Sequence, residues 1–371
     1  VTALYDVHKR LGATLTPFAG WLMPLRYTSE IAEHNAVRAT AGLFDLSHMG
    51  EISVSGHDAA AALDYALTGH LSQVAVGRAR YTMICAADGG ILDDLVVYRL
   101  AEKQYLVVAN AANSAVVHEA LRARTAGHDA AVTDASHDYA LIAIQGPGAA
   151  GILSRCTDAP LPSLRYYASM PAVVAGISLL LARTGYTGED GFELFCPPDR
   201  AEAIWAALTA AGTGDGLTPA GLAARDTLRL EAGMPLYGNE LSTQVTPFEA
   251  GLGRVVKLDK PGDFVGREAL TARAQAGPRQ TLIGLTCRSR RVPRHGYPVL
   301  LDDEVVGNVT SGAPSPTLHK PIAMAYVRPD VAVAAGNASP ADKDQASLAV
   351  DVRGHPEQAD YAQLPFYRRA E

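Results

Sequence analysis

Residues 185–193 read GYTGEDGFE, and they run straight into a strand-like segment, FELFC. Three glycines and two carboxylates crowd a turn there, and glycine supplies positive φ at no steric cost. The turn ends on Glu193, set between Phe192 and Leu194. In a strand, successive side chains point to opposite faces, so Glu193 points away from both apolar neighbours. It faces either water or a pocket that holds a polar ligand.

A second segment carries the same logic. Tyr81 to Cys85, then AADGG, then Ile91 to Leu100 reads as a β-hairpin closed by a glycine turn. Its second arm, ILDDLVVYRL, holds Asp93 and Asp94 side by side. Period-two alternation puts Leu92, Asp94, Val96 and Tyr98 on one face. Ile91, Asp93, Leu95 and Val97 fall on the other. The two carboxylates therefore cannot form a close acid/base pair, and a buried one needs a hydrogen bond or a positive partner. A turn-proximal surface pair is the alternative.

Other elements follow from local signals. Gln104 to Ala109 is a strand and Asn113 to Arg124 a helix. Asp58 is the expected N-cap of a helix to Leu67. Asp199 to Glu202 is a capping-box pattern before a helix with Ile204, Trp205 and Leu208 on one face. Thr218-Pro219 reads as N-cap and N1 of a helix, AGLAARDTLRLEAG, ended by Gly233. The order of strands and helices lacks strict βαβ alternation, so the expected fold class is α+β. From Gln280 to Val352 short β-branched runs (LIGLTC, PVLL, EVVGNVTSG, AMAYV, SLAVDV) alternate with Gly and Pro turns, the pattern of a small antiparallel barrel or sandwich. The boundary falls in ARAQAGPR, which divides the chain into residues 1–274 and 275–371.

Composition excludes several functions. The formal net charge of −7 opposes broad binding to nucleic acid or anionic lipid. No apolar run approaches the ~20 residues of a membrane span. The N-terminus, VTALYDVHKRLGA, lacks the apolar h-region of a signal peptide and an initiator Met, which points to a trimmed or processed end. Four scattered cysteines without C-x-x-C argue against a disulfide framework and for a reducing cytoplasm. No HxxxH, HxH, GxGxxG or P-loop pattern occurs, which disfavours metal and nucleotide sites. Arg225 and Arg229, four apart in GLAARDTLRLEAG, either bind a ligand carbonyl or carboxylate or pair with Asp226 and Glu231. CRSRRVPRH (287–295) is a local positive cluster suited to an acidic partner or plain surface.

Taken in order, FAGWLMPLRY, LFDLSHMGEI, GGILDDLVVY, LIAIQGPGA, RTGYTGEDGFEL, GLAARDTLRLEAGMPLYGNE, GNVTSGAPSP and PIAMAYV resemble the T-protein family of the glycine cleavage system, from about Leu4 to Tyr367. The resemblance implies an aminomethyltransferase. Such an enzyme takes the aminomethyl group from the lipoyl arm of H-protein. With tetrahydrofolate it yields 5,10-methylenetetrahydrofolate, ammonia and dihydrolipoyl H-protein, and it needs no metal or bound redox cofactor. It also implies a three-domain cloverleaf around a central folate channel, with a small C-terminal β-barrel, in the bacterial cytoplasm. The partners implied are lipoylated H-protein and tetrahydrofolate, with no nucleic acid and no membrane.

By that resemblance Asp94 is the essential carboxylate near folate N10, and Asp93 is structural. Glu193 holds the pterin's paired N–H donors. Arg225 meets the pterin carbonyl or orients Glu193. Tyr81, Tyr98, Asn110, Tyr186 and Met49 line the pocket, Tyr367 and Arg368 close it, and Glu189 and Asp190 belong to the turn alone. Two relatives remain as alternatives: folate-dependent demethylases or oxidases of the same fold, and non-catalytic folate binders. The oxidases usually carry a flavin domain with a dinucleotide fingerprint, and the non-catalytic binders a K-G-C-Y-x-G-Q loop; this sequence has neither.

Overall fold

The computed structural model describes residues 1–337 and 348–369. A hairpin of β1 (Thr14–Phe18) and β2 (Trp21–Arg26) comes first. There follow β3 (Gly42–Asp45), β4 (Gly50–Ser55), β5 (Ala79–Cys85), β6 (Ile91–Ala101), β7 (Gln104–Ala109), β8 (Ala131–Asp134) and β9 (Ala140–Gln145). Then come β10 (Ser169–Val174), β11 (Ile177–Ala182), β12 (Gly191–Cys196) and the short β13 (Thr218–Pro219). They build two sheets beyond the first hairpin, ordered β5-β6-β7-β4-β8 and β10-β11-β12-β9-β3-β13. Only the β13–β3 pairing is parallel among the described ladders. The expected α+β class is borne out.

The chain divides into two compact units. The first comprises Val1–Cys85, Leu92–Arg225 and Lys257–Val265; the second comprises Ala86–Ile91, Asp226–Val256 and Gly266–Glu371. Both sheets fall in the first unit, but for Ile91 at the head of β6. The first sheet packs Ile52, Val54, Leu95, Val97 and Val107 against Leu63 of the helix Ala59–Ala66 and Val117 and Leu121 of the helix Ser114–Arg124. The second packs Ile142, Ile144, Phe192 and Leu194 against the helices Ala149–Leu153 and Ala201–Gly212, with Ile204, Trp205 and Leu208 buried on one face as their spacing implies. Each such aliphatic side chain contributes about 1.5–3 kcal/mol when fully buried.

In the second unit β14 (Thr281–Cys287), β15 (Pro298–Leu301), β16 (Glu304–Ser315), β17 (Lys320–Val327), β18 (Leu348–Asp351) and β19 (Pro356–Ala362) close a barrel in the order β14-β17-β16-β15-β18-β19. Five strands coincide with the β-branched runs. β19 (PEQADYA) does not show in the sequence, because its polar residues break the pattern that marks a strand. Part of the expected barrel stretch, 338–347, lies outside the described residues.

Three expected helix starts differ. Asp58 precedes its helix without capping it; its carboxylate accepts the N–H of Asp129 at 3.0 Å, across the chain. The capping box at Asp199 is replaced by a turn of 3-10 helix, Pro198–Arg200, with no side-chain cap. Thr218-Pro219 pairs with Gly42 and Leu43 as strand β13, and the helix begins only at Leu222. In each case a tertiary partner outcompetes the local signal. Gly233 does end that helix. At φ 64° it donates to Leu230, and Met234 donates to Arg229, the paired bonds of a Schellman turn.

Candidate active site

Register aligns the site across the first sheet. Val96 of β6 pairs with Val108 of β7, which pairs with Glu51 of β4. Asp94, Val96 and Tyr98 alternate with the buried Asp93, Leu95 and Val97, so they share the face opposite the helices. That face meets the second sheet. The Tyr98 ring lies edge-on to Phe195 at 5.6 Å, and its hydroxyl reaches Thr184 Oγ1 at 2.9 Å and Glu193 Oε2 at 3.2 Å. Glu193 and Phe195 occupy the face of β12 turned away from the helix-packed Phe192 and Leu194. The alternation read from the sequence therefore holds in both strands.

Asp94 is half-buried and held from two sides. Its Oδ1 accepts Asn110 Nδ2 at 2.8 Å, and its Oδ2 accepts the Tyr81 hydroxyl at 3.0 Å. Burial raises its pKa, and these two hydrogen bonds oppose the rise. Glu193 is held on one oxygen: Oε2 accepts Tyr98 and Thr184 Oγ1, whereas none of the described residues hydrogen-bonds Oε1. Tyr186 is half-buried with the Arg225 guanidinium 4.7 Å over its ring. Tyr167 sits among these groups, its pKa raised by burial and by the charges of Glu193 and Asp94. Met49 immediately precedes β4, whose first residue, Gly50, pairs with Ala109 next to Asn110.

The first unit thus brings together Asp94, Tyr81, Asn110, Tyr98, Glu193, Tyr186 and Arg225, with Met49 at the strand end. Tyr98 is 1% exposed, so it supports Glu193 from behind. Tyr367 and the exposed Arg368 belong to the second unit, where the Tyr367 N–H donates to the Glu231 carbonyl at 2.8 Å. Arg229 parts from Arg225. It is 1% exposed and pairs with Glu240 at 3.0 Å and Asp226 at 2.7 Å, in the second unit.

The GYTGEDGFE turn is built on a buried glutamine. Gln145 Nε2 donates to the Thr184 carbonyl at 3.0 Å, and its Oε1 accepts Thr187 Oγ1 at 3.1 Å. A Cβ on Gly185 would lie 1.9 Å from Gln145 Oε1, and one on Gly191 would lie 2.5 Å from Nε2. Close approach therefore requires these two glycines; only Gly188, at φ 82°, uses the left-handed region. Glu189 and Asp190 do more than shape the turn. Arg38 Nη1 donates to Glu189 Oε1 at 2.9 Å and to the Thr187 carbonyl at 2.7 Å, and Arg183 holds Asp190 through two parallel bonds at 2.9 and 2.6 Å.

No local sequence signal singles out Thr184, Tyr167, His48 or Glu51. His48 is buried with Nδ1 unpartnered, and burial together with the nearby Arg225 charge lowers its pKa to about 4, so it is neutral at pH 7. Glu51 is 1% exposed, and burial with the charges of Asp134 and Glu193 pushes its carboxyl well above the usual range. Among the described residues no cluster of three His, Cys, Asp or Glu side chains is placed to hold a metal ion, and no helix is long and apolar enough to cross a membrane.

Comparison with known proteins agrees with this architecture. The family model for the GCVT N-terminal domain matches residues 4–260, and that for the glycine cleavage T-protein C-terminal barrel domain matches residues 280–368. The chain is 62% identical to an aminomethyltransferase of Streptomyces avermitilis over 371 residues, covering 99% of this chain and 97% of the relative. It is 60% identical to that of Streptomyces coelicolor, with the same coverage. The crystal structure of glycine cleavage system aminomethyltransferase T from Bartonella henselae superimposes with a TM-score of 0.89 at 35% identity, over 98% of this chain and 97% of that one. The chain belongs to the glycine cleavage T-protein family, the aminomethyltransferases of the glycine cleavage system.

Proposed function

We propose that tetrahydrofolate is the one-carbon acceptor, that its pterin ring enters between the two sheets of the first unit against Glu193, and that Asp94 acts where the carbon is transferred. The observation that carries this reading is the pairing of two half-buried carboxylates in one inter-sheet space, each held on its protein side. Glu193 keeps Oε1 open while Tyr98 and Thr184 fix Oε2. That oxygen suits the adjacent amine and ring N–H donors of a pterin. Tyr186 under Arg225 offers a flat surface for a conjugated ring, and Met49 a polarizable one.

Asp94, with one oxygen on Asn110 and the other on Tyr81, is aimed before substrate arrives. Folate N5 bonds to the methylene carbon as its C–S bond breaks and the lipoyl sulfur leaves as a thiol. Ammonia then departs from that carbon to leave an N5-iminium, which N10 closes with loss of its proton, and an ionised Asp94 stabilises the positive charge. Its raised pKa also makes it a better proton acceptor than a surface aspartate. On this reading residues 1–274 form the folate-binding region and 275–371 the accessory barrel. The reducing bacterial cytoplasm suits the free cysteines.

Glu193→Ala is expected to raise the folate Kd about tenfold to a hundredfold, the loss of a hydrogen bond to a charged group. Calorimetric titration against the wild type checks this, and an unchanged Kd would remove the pterin assignment.

The lipoyl arm is brought by H-protein, and the positive cluster at 287–295 is the docking patch we assign to it. Arg288 pairs with Asp360 at 2.6 Å and Arg291 with Glu357 at 2.9 Å. Arg290 and Arg294 are exposed and make no ion pair with the described residues. Reversing both, Arg290→Glu with Arg294→Glu, should raise the KM for H-protein and leave folate Kd alone. An unchanged KM would return the cluster to plain surface.

A further inference from the structure

Asp93 has no part in the reading above, yet it is tied to Asp94 through one side chain. It lies on the core face of β6 and is fully buried. Its Oδ2 accepts the Asn110 backbone N–H at 2.9 Å, and its Oδ1 accepts Asn113 Nδ2 and Asn110 Nδ2, each at 2.8 Å. The same Asn110 Nδ2 reaches Asp94 Oδ1 at 2.8 Å and the Asp94 carbonyl at 3.2 Å. A single amide therefore bridges carboxylates on opposite faces of one strand.

Every partner of Asp93 is an N–H donor. The charged or titratable groups facing the pair are Asp94 itself on β6, Tyr81 on β5 and Tyr167, whose pKa the Asp94 charge raises; the end of β7 and the turn Ala111–Asn113 contribute only the two asparagines. No Lys, Arg or His among the described residues bonds either carboxylate. A proton on Asp93 would meet donors on every side, so accepting one must break a bond to Asn110 or Asn113. Burial first, and then the Asp94 charge, raise the Asp93 pKa to about 7, against the pull of the two asparagines.

We infer that Asp93 is a positioning residue for Asp94: ionised, it locks the Asn110 amide and so aims the Asp94 carboxylate, and protonated, it lets Asn110 go. This rests on the proposed role of Asp94. It implies that turnover falls on the acid side of neutrality because the site loses its alignment, with folate still bound. The two carboxylates titrate as a pair, so the acid limb belongs to both.

The test is the pH profile of kcat for methylenetetrahydrofolate formation from aminomethyl-loaded H-protein, with folate Kd measured alongside. The wild type should show an acid limb near pH 7. Asp93→Asn should lower kcat about 10²-fold through misalignment, keep folate Kd within about threefold, and move the limb about one unit or more to acid, because the like charge beside Asp94 is gone. Asn113→Ala removes one donor that favours the Asp93 anion, so its limb should move to higher pH. Asn113 is half-buried in a short turn, so this variant carries the test if Asp93→Asn does not fold. Limbs that coincide with the wild type in the folded variants would overturn the positioning role. Asp94→Asn separates the two ideas. Full turnover in it would overturn the reading of Asp94 itself; its loss, with unmoved limbs elsewhere, would overturn only the inference about Asp93.

Discussion

Asp94→Ala should lower kcat for methylenetetrahydrofolate formation about 10²–10³-fold, the scale on which a preorganised electrostatic group acts on developing charge. Folate Kd should stay within a few-fold, since in the proposed binding mode Glu193, on the other sheet, holds the pterin end. The expectation follows from how Asp94 is held. One oxygen is fixed by Asn110 and the other by Tyr81, on a strand face that looks across to β12. Removing the carboxylate leaves both donors aimed at an empty place and the iminium without a counter-charge. Single-turnover kinetics with aminomethyl-loaded H-protein measure this directly. A kcat within twofold of the wild type would contradict it.

Glu189→Ala should destabilise the fold by about 3–5 kcal/mol, because it removes one member of a buried ion pair. The side chains of Arg38 and Glu189 are 8% and 4% exposed and meet at 2.9 Å. Arg38 also holds the Thr187 carbonyl, so it ties the helix Glu30–Ala39 to the turn that carries Tyr186 and leads into Glu193. Replacing both partners, Arg38→Met with Glu189→Met, should recover most of the loss, since no uncompensated charge then remains buried. Urea denaturation with an unchanged m-value reads both effects. A loss below about 1 kcal/mol for the single variant would mean that the pair behaves as a surface ion pair.

What could be read in advance follows the period of each element. The alternation in ILDDLVVYRL assigned Asp94 and Tyr98 to one face and Asp93 to the other, and it needed nothing beyond the pleat of a strand. Glu193 was placed on the same ground, opposite Phe192 and Leu194. The Gly233 stop needed only the left-handed preference of glycine. Features set by register between distant segments were hidden. Glu51 joins the Asp94 face only through two successive pairings, Val96 with Val108 and Val108 with Glu51. The Asn110 bridge needs the end of β7 to lie beside two residues of β6. Gly185 and Gly191 read as turn residues, yet the requirement comes from Gln145, about forty residues away in sequence, packed beneath them. The expected caps at Asp58, Asp199 and Thr218 failed for the same reason: local chemistry proposed a partner, and the tertiary structure supplied a different one.

In the proposed binding mode one inter-sheet site holds the pterin at Glu193 and presents the carbon-transfer end to Asp94. A crystal structure of this chain with bound tetrahydrofolate tests it most directly. The expected result is the pterin amine and ring N–H within hydrogen-bond reach of Glu193 Oε1, with N10 beside the Asp94 carboxylate. A folate bound outside the two sheets of the first unit, or one whose pterin faces Asp94 and leaves Glu193 Oε1 without a partner, would contradict it.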